Sequence, residues 1–293
     1  MKTKILLASF LAAAVACAAD SSTKPPSDAA PVAQPEAEER EDSFLDRYVD
    51  LSTELAFYSA YVWRGQILFD RPVWQPAQNI LFKLGENAEY GAFKFRFWAN
   101  FAIDGNKPPH RFGGMSIVDE RVGYVKTFFD CLDFDVGGIF YQFPNRHSRG
   151  LRETDEFIAG VKWRNPYITP SFYVWWDLDE NGHNADNSLF FDFDFTHAFK
   201  ITDELSLNLG SGFGVANGSY MDHYTRGGVD GTAFNYFHHD LGLWYKILDN
   251  VKVGASLTYF YNLSRQVRHS SYDMHESYNA GILRGGVHLA VTW

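Results

Sequence analysis

Residues 93 to 103 read Phe93-Lys94-Phe95-Arg96-Phe97-Trp98-Ala99-Asn100-Phe101-Ala102-Ile103. Phe93, Phe95, Phe97, Ala99, Phe101 and Ile103 share one parity, and Lys94, Arg96, Trp98 and Asn100 share the other. A period of two is the period of a β-strand, whose successive side chains point to opposite faces. A greasy face backed by charges suits a wall with lipid on one side and water on the other.

The same pattern recurs outward in both directions. Leu51, Thr53, Leu55, Phe57, Ser59, Tyr61 and Trp63 form one face, opposed by Ser52, Glu54, Ala56 and Tyr58. Leu189, Phe191, Phe193, Phe195 and Phe199 alternate with Asp192, Asp194 and Thr196. Leu205, Leu207, Leu209 and Phe213 alternate with Ser206, Asn208 and Gly210, and Val251, Val253, Leu257 and Tyr259 alternate with Lys252, Ser256 and Thr258. The alternation predicts strands near 51–64, 76–85, 91–103, 116–129, 133–142, 153–164, 167–178, 188–200, 204–216, 234–247, 251–262 and 279–293. Connections after even-numbered strands are short, and those after odd-numbered strands are long. Outer-membrane barrels have this asymmetry, with short periplasmic turns and longer outer loops. The expected fold is therefore all-β: a transmembrane antiparallel up-and-down β-barrel of about twelve strands, spanning 50–293. No apolar run in the mature chain is long enough to cross as a helix, and in hydrocarbon only a closed barrel then pairs every backbone polar group. Tyr61 and Trp63 near one set of strand ends, and Phe129, Trp163, Tyr245 and Trp293 near the other, are expected at the membrane interfaces.

The ends of the chain agree with that address. Met1-Lys2-Thr3-Lys4, the apolar run Ile5 to Ala16 and Ala16-Cys17-Ala18 make a signal peptide over 1–18. Ala14-Val15-Ala16-Cys17 is a lipobox without its leucine, so simple cleavage is preferred to lipidation. Residues 19–49, rich in Pro, Ala and Glu, have no apolar period and are expected to be a disordered periplasmic linker. At the other end Val287, Leu289, Val291 and Trp293 alternate with His288, Ala290 and Thr292. This terminal aromatic strand is expected to be the signal read by the outer-membrane assembly machinery. The expected location is the bacterial cell outer membrane, with its lipid as a partner. The net charge of −10 leaves no basic footprint for nucleic acid.

One tract adds a resemblance. Residues 59 to 75 carry Ser59, Tyr61, Val62, Arg64, Gly65, Pro72 and Gln75 in the order Ser-x-Tyr-Val-Trp-Arg-Gly, a variable loop, then Pro-x-x-Gln. This is similar to the first hairpin of the TorF-like outer-membrane porin family, and covers about a tenth of the chain. The acidic linker and the stretch from Asn217 to Ala233 depart from that family. The resemblance implies a porin-like protein and supplies no catalytic residues.

If the greasy parity faces lipid, the other lines the barrel. The lumen candidates are Glu54, Lys83, Lys94, Arg96, Asp119, Arg121, Glu156, Lys162, Asp192, Asp194, His238, Asp240, Lys246, Arg284 and His288. Basic Arg96 and Arg121 lie on neighbouring strands, and Asp192 and Asp194 share a face of another. Opposed walls of this kind orient polar or zwitterionic solutes. The functional expectation is passive passage of small polar or charged solutes, with no catalysis and no cofactor. Two alternatives remain open: an outer-membrane barrel hydrolase acting on lipid, and a structural or adhesive barrel with a closed lumen. For the hydrolase, His238 and Asp240 point inward with Ser256 and Thr258 nearby, but no Gly-x-Ser-x-Gly elbow occurs. For a metal, His147, His183, His223 and His275 lie in loops near Asp179, Glu180, Asp186 and Asp222. Asp177 to Gly182 begins like a calcium loop but lacks the distal glutamate, so no metal site is assigned.

Overall fold

The computed structural model describes residues 47–103, 106–107, 110–111, 114–144, 153–178, 187–224, 233–264, 267–268 and 280–293. The predicted signal peptide, nearly all of the predicted linker, and the loop residues His147, His183, His275, Asp179, Glu180 and Asp186 lie outside them, as does the side chain of His223.

Twelve strands close one antiparallel barrel. In chain order they are β1 (Val49–Tyr58), β4 (Val73–Lys83), β5 (Ala92–Ala102), β8 (Met115–Phe128), β9 (Leu132–Gln142), β10 (Thr154–Trp163), β11 (Thr169–Asp177), β12 (Leu189–Lys200), β13 (Leu205–Ala216), β14 (Ala233–Leu248), β15 (Val251–Asn262) and β16 (Gly281–Thr292). Each pairs with its sequence neighbour, and β16 returns to β1 in the register Ser52 with Thr292 through Tyr58 with Gly286. Four short strands stand apart in two hairpins: β2 (Tyr61–Trp63) with β3 (Gln66–Phe69), and β6 (Asn106–Lys107) with β7 (His110–Arg111). One helix, α1 (Gly218–Tyr224), follows β13. No helix among the described residues is long and apolar enough to cross a membrane.

The distribution of side chains is that of a globular protein turned inside out. Phe93, Phe95 and Phe97 are 46%, 39% and 45% exposed, and Phe57, Phe140, Leu241, Leu257 and Tyr259 are comparably bare. On the opposite parity Asn100 and Glu156 are at most 1% exposed. A monomeric soluble protein rarely shows a continuous apolar patch above a few hundred Å². A belt of this kind around the whole barrel requires hydrocarbon outside it. Glu120, opposite Phe97 and Phe140, is a carboxylate on that outer wall for which the structure offers no account.

The interior is packed partly by rings lying over glycines. A Cβ on Gly160 would come within 2.2 Å of the Tyr173 ring, and one on Gly254 within 2.7 Å of Trp244. Small residues at these inward positions let the large rings lie flat against the wall.

One expectation is corrected here. The first strand was expected to run to residue 64, with Tyr61 and Trp63 in the outer aromatic girdle. It ends at Tyr58 instead, and Tyr61 and Trp63 turn into the lumen, where Tyr61 is buried. The period of two survives because β2 is itself a strand, so parity alone could not show that the chain had left the wall.

The outer wall's chemistry gives a direct test. Leu257→Arg places a cation in the middle of β15 facing outward, which should destabilise the folded barrel by about 2–4 kcal/mol if that position lies at the bilayer midplane. Urea unfolding in liposomes would measure it; Leu257→Phe should leave the transition nearly unmoved.

Candidate functional site

The outer half of the lumen is occupied by the β2–β3 hairpin and α1. The hairpin turn is Arg64-Gly65, with φ of 47° and 79° and Trp63 paired to Gln66. Positive φ at both central residues is the requirement of a type I′ turn, the tight turn that suits a two-residue hairpin. Glycine meets it without strain; arginine does not, so the conformation must be held by contacts. Gly65 also has to be glycine for space, because a Cβ would meet Asn262 Oδ1 at 2.8 Å and Tyr236 at 2.9 Å.

Those contacts are strong. Arg64 makes a two-pronged ion pair with Glu156 on β10, Nη1 to Oε1 and Nη2 to Oε2, both at 2.7 Å. Their side chains are 6% and 1% exposed. Tyr141 donates to Glu156 Oε2 at 2.8 Å, and Arg64 Nη1 reaches the Tyr220 hydroxyl at 3.4 Å. Trp63, Phe190, Trp175 and Tyr220 surround the guanidinium, their ring centroids 4.6 to 5.5 Å from its carbon. Burial is the largest influence on Arg64 and works against its charge, but Glu156 together with the Tyr220 and Tyr141 hydroxyls outweighs it, so the Arg64 pKa is raised. Burial also raises the Tyr220 hydroxyl, against the lowering influence of Arg64. On the far side of the turn, Asn262 Nδ2 on β15 donates to the Gly65 carbonyl at 2.7 Å. The tip is thus tied to both β10 and β15, and the hairpin spans the barrel.

Helix α1 completes this inner packing. Asn217 caps it by accepting from the Tyr220 amide at 3.0 Å, the usual service of an N-cap asparagine. Tyr220 and Met221 are then buried with Val62, Ile67, Phe190, Tyr236, Phe260 and Ile282. Tyr61 and Phe69 pack on the opposite side with Val73, Ile117, Ile139 and Ile158.

Nearer the short turns the lumen is polar, and its charged groups gather on two walls. On one wall Lys94 contacts Asp135 at 3.1 Å and Arg121 contacts it at 2.8 Å; Arg96 is the cross-strand partner of Arg121, and Asp119 is the partner of Trp98. On the other wall His238 lies between Asp194, 2.8 Å from Nε2, and Asp240, 2.7 Å from Nδ1. Asp192 accepts from the Tyr236 hydroxyl at 2.9 Å. Five strands separate β5 from β13 in either direction round the ring. The basic wall of β5 and β8 therefore faces the acidic wall of β12 and β14.

The remaining sequence candidates divide by position. Lys83 pairs with Asp50, and Lys246 with Asp249, both at the short-turn rim. Lys162 is exposed near the same rim, on β10. Arg284 stacks over Tyr58 at 4.4 Å. The predicted neighbours of His238 are only half assembled: Thr258 donates to Asp240 at 2.7 Å, whereas Ser256 bonds His288 Nε2 at 2.8 Å. His288 Nδ1 lies 3.0 Å from Glu54. A second serine–histidine contact, Ser211 Oγ to His239 Nδ1 at 2.8 Å, is on the exposed outer wall beside Phe195 and Tyr259. Asp177 accepts from Thr154 and Tyr224. No cluster of three metal-ligating side chains occurs among the described residues. Arg64 and Asp135 were not predicted as lining residues. Arg64 was hidden by its place in a presumed wall strand, and Asp135 by glycines that weaken the alternation of its strand.

No family model matches the chain, and no curated protein does. Solved structures do match in fold. An outer membrane channel from Pseudomonas putida F1 covers 88% of this chain and 100% of its own, at 8% identity and a TM-score of 0.50. The NanC porin covers 82% and 98%, at 10% identity and a TM-score of 0.49. Outer membrane phospholipase A from Escherichia coli covers 82% and 92%, at 10% identity and a TM-score of 0.45.

The ion pair that holds the hairpin predicts its own removal. Removing one member of a buried pair strands the other, at a cost of about 3–5 kcal/mol. Glu156→Gln should therefore lower the urea midpoint and expose the hairpin to protease added from outside. Arg64→Met combined with Glu156→Met should recover part of that stability, because neither charge is then left buried.

Proposed function

We propose that this chain is an outer-membrane channel of the TorF-like porin type, passing small polar or charged solutes passively through a lumen narrowed by its first hairpin. The observation that carries this reading is the opposition of the Lys94, Arg96 and Arg121 wall to the Asp192, Asp194 and Asp240 wall across the barrel. Fixed charges in a low-dielectric wall act strongly on a passing ion or dipole.

The resemblance supports the same reading in a specific way. Tyr61, Val62, Arg64 and Gly65 are the core of the porin-like motif, and they form the inward hairpin; Gln75 donates to Asn100 Oδ1 at 2.8 Å beneath it. The motif residues are thus those that build the constriction. The outer belt supports membrane residence, and the short-turn side is the periplasmic side by the habit of such barrels. Passage itself requires no chemical step. Under this reading the N-terminal segment arrives from the periplasm, and the terminal strand carries the assembly signal.

Planar-bilayer recording of the purified protein tests the channel. Replacing Arg96 and Arg121 with Gln removes two cations from that wall, so ion preference should shift toward cations. Absence of conductance above background would remove the channel reading; unchanged selectivity would remove the assignment of its filter. Separately, Trp293→Asp should reduce heat-modifiable, membrane-inserted protein far more than Phe97→Tyr, as read by the gel shift of outer-membrane fractions.

A further inference from the structure

We propose that Ser256, His288 and Glu54 form an acyl-transfer site in the lumen wall, acting on a carboxylic ester that enters from the short-turn side. The proposal goes beyond the channel reading and does not depend on it, because passage and bond cleavage would use different groups of the wall.

Three adjacent strands supply the residues: Ser256 from β15, His288 from β16 and Glu54 from β1. Ser256 Oγ is 2.8 Å from His288 Nε2, and His288 Nδ1 is 3.0 Å from Glu54 Oε1. An ionised carboxylate only accepts, so Nδ1 must carry the proton, and in neutral histidine Nε2 then takes the serine hydroxyl. That is the division of labour in which a histidine serves as general base to a serine and a carboxylate orients it. The lipid-facing pair Ser211 and His239 uses Nδ1 for the serine and lacks this order.

The ring is also held in place. Tyr58 meets it edge-on with centroids 5.2 Å apart, and Trp244 lies 5.2 Å away on a tilt. His288 is buried, whereas Ser256 is half-buried and the Glu54 side chain is 41% exposed. The cross-strand neighbours of the serine are Gly286 and Gly242. A Cβ on Gly286 would meet the Tyr58 ring at 2.5 Å and Ser256 Oγ at 3.0 Å, so the glycine seats the ring that flanks the serine. The site lies four residues toward the short turn from Phe260, which packs in the inner cluster with the hairpin, so its approach is from the periplasmic side of that hairpin.

The reaction balances with water alone as co-reactant. Ser256 Oγ bonds to the ester carbonyl carbon while its proton passes to His288 Nε2. The ester C–O bond breaks, and the alcohol leaves with that proton. Water then attacks the acyl-serine by the same route, releasing the carboxylic acid and restoring the serine proton. Strand amides are engaged in the ladder, so a side chain must meet the developing oxyanion. Arg284 shares this inward face of β16, and its buried Nε has no hydrogen-bond partner among the described residues.

Ser256 and His288 are the catalytic residues, and Glu54 is a positioning residue. The test uses the full chain in detergent with two probes of different size, diisopropyl fluorophosphate and p-nitrophenyl acetate. The expected result is a phosphoryl adduct on the Ser256 peptide and an acetate burst, both abolished in Ser256→Ala. His288→Gln should slow labelling about 10²–10⁴-fold, the usual worth of a positioned general base. Glu54→Ala should slow it similarly, and Glu54→Asp should restore most of the rate, which a strut holding the strands together would not require. All variants are checked for the folded gel shift. Wild-type protein that takes up neither probe, or is modified elsewhere, or is labelled equally fast without His288, overturns the proposal.

Discussion

Hydrocarbon offers no hydrogen-bond partner, and every amide and carbonyl that crosses it must therefore find one in the protein. For a chain with no long apolar helix, the only arrangement that leaves no open edge is a ring. The pairing of β16 with β1 is the last step of that ring, and the rest of the structure presupposes it. Closure divides space into an outside that is mostly apolar and an inside that receives most of the charged groups. The aromatic belt and the charged lumen are two results of this single requirement.

The interior is lined in two different ways. Its outer half is aromatic, organised around a buried guanidinium whose charge is matched by Glu156 and whose faces are covered by rings. Its lower half is polar, with Lys94, Arg96 and Arg121 gathered on one wall around Asp119 and Asp135, and Asp192, Asp194 and Asp240 on the opposite wall around His238. The boundary between the two is made by the first outer connection, which folds inward instead of standing up from the membrane. A buried ion pair is a poor source of net stability, because desolvation offsets most of its attraction. Its value here is positional: only Glu156 satisfies Arg64 with both oxygens, so the hairpin has one place to sit.

Most of the wall could be read from residues. Alternation in segments such as 93–103 carries its own orientation, since Phe must face lipid and Arg must not. The twelve-strand count and the alternation of long and short connections followed from it. The hairpin was not legible, because a period of two is shared by a wall strand and by a strand folded inside the wall; Tyr61 and Trp63 satisfy either. Side-chain partners were legible only in part. Parity placed His288, Ser256 and Glu54 on one face, but the diagonal offsets that join them depend on the register of β15, β16 and β1, which no local pattern encodes. Opposed acidic and basic walls were expected from the order of charges; the structure sets Asp135 between Lys94 and Arg121 on the basic one. That β5 stands diametrically opposite β13 follows from the order of strands after closure.

The seam has one further consequence. Glu54 and His288 are 234 positions apart in sequence and in contact only because the first and last strands of the wall meet. A barrel opened along that line loses this contact together with the seven backbone pairs from Ser52 with Thr292 to Tyr58 with Gly286. The carboxylate and its histidine therefore meet only when the cylinder is whole.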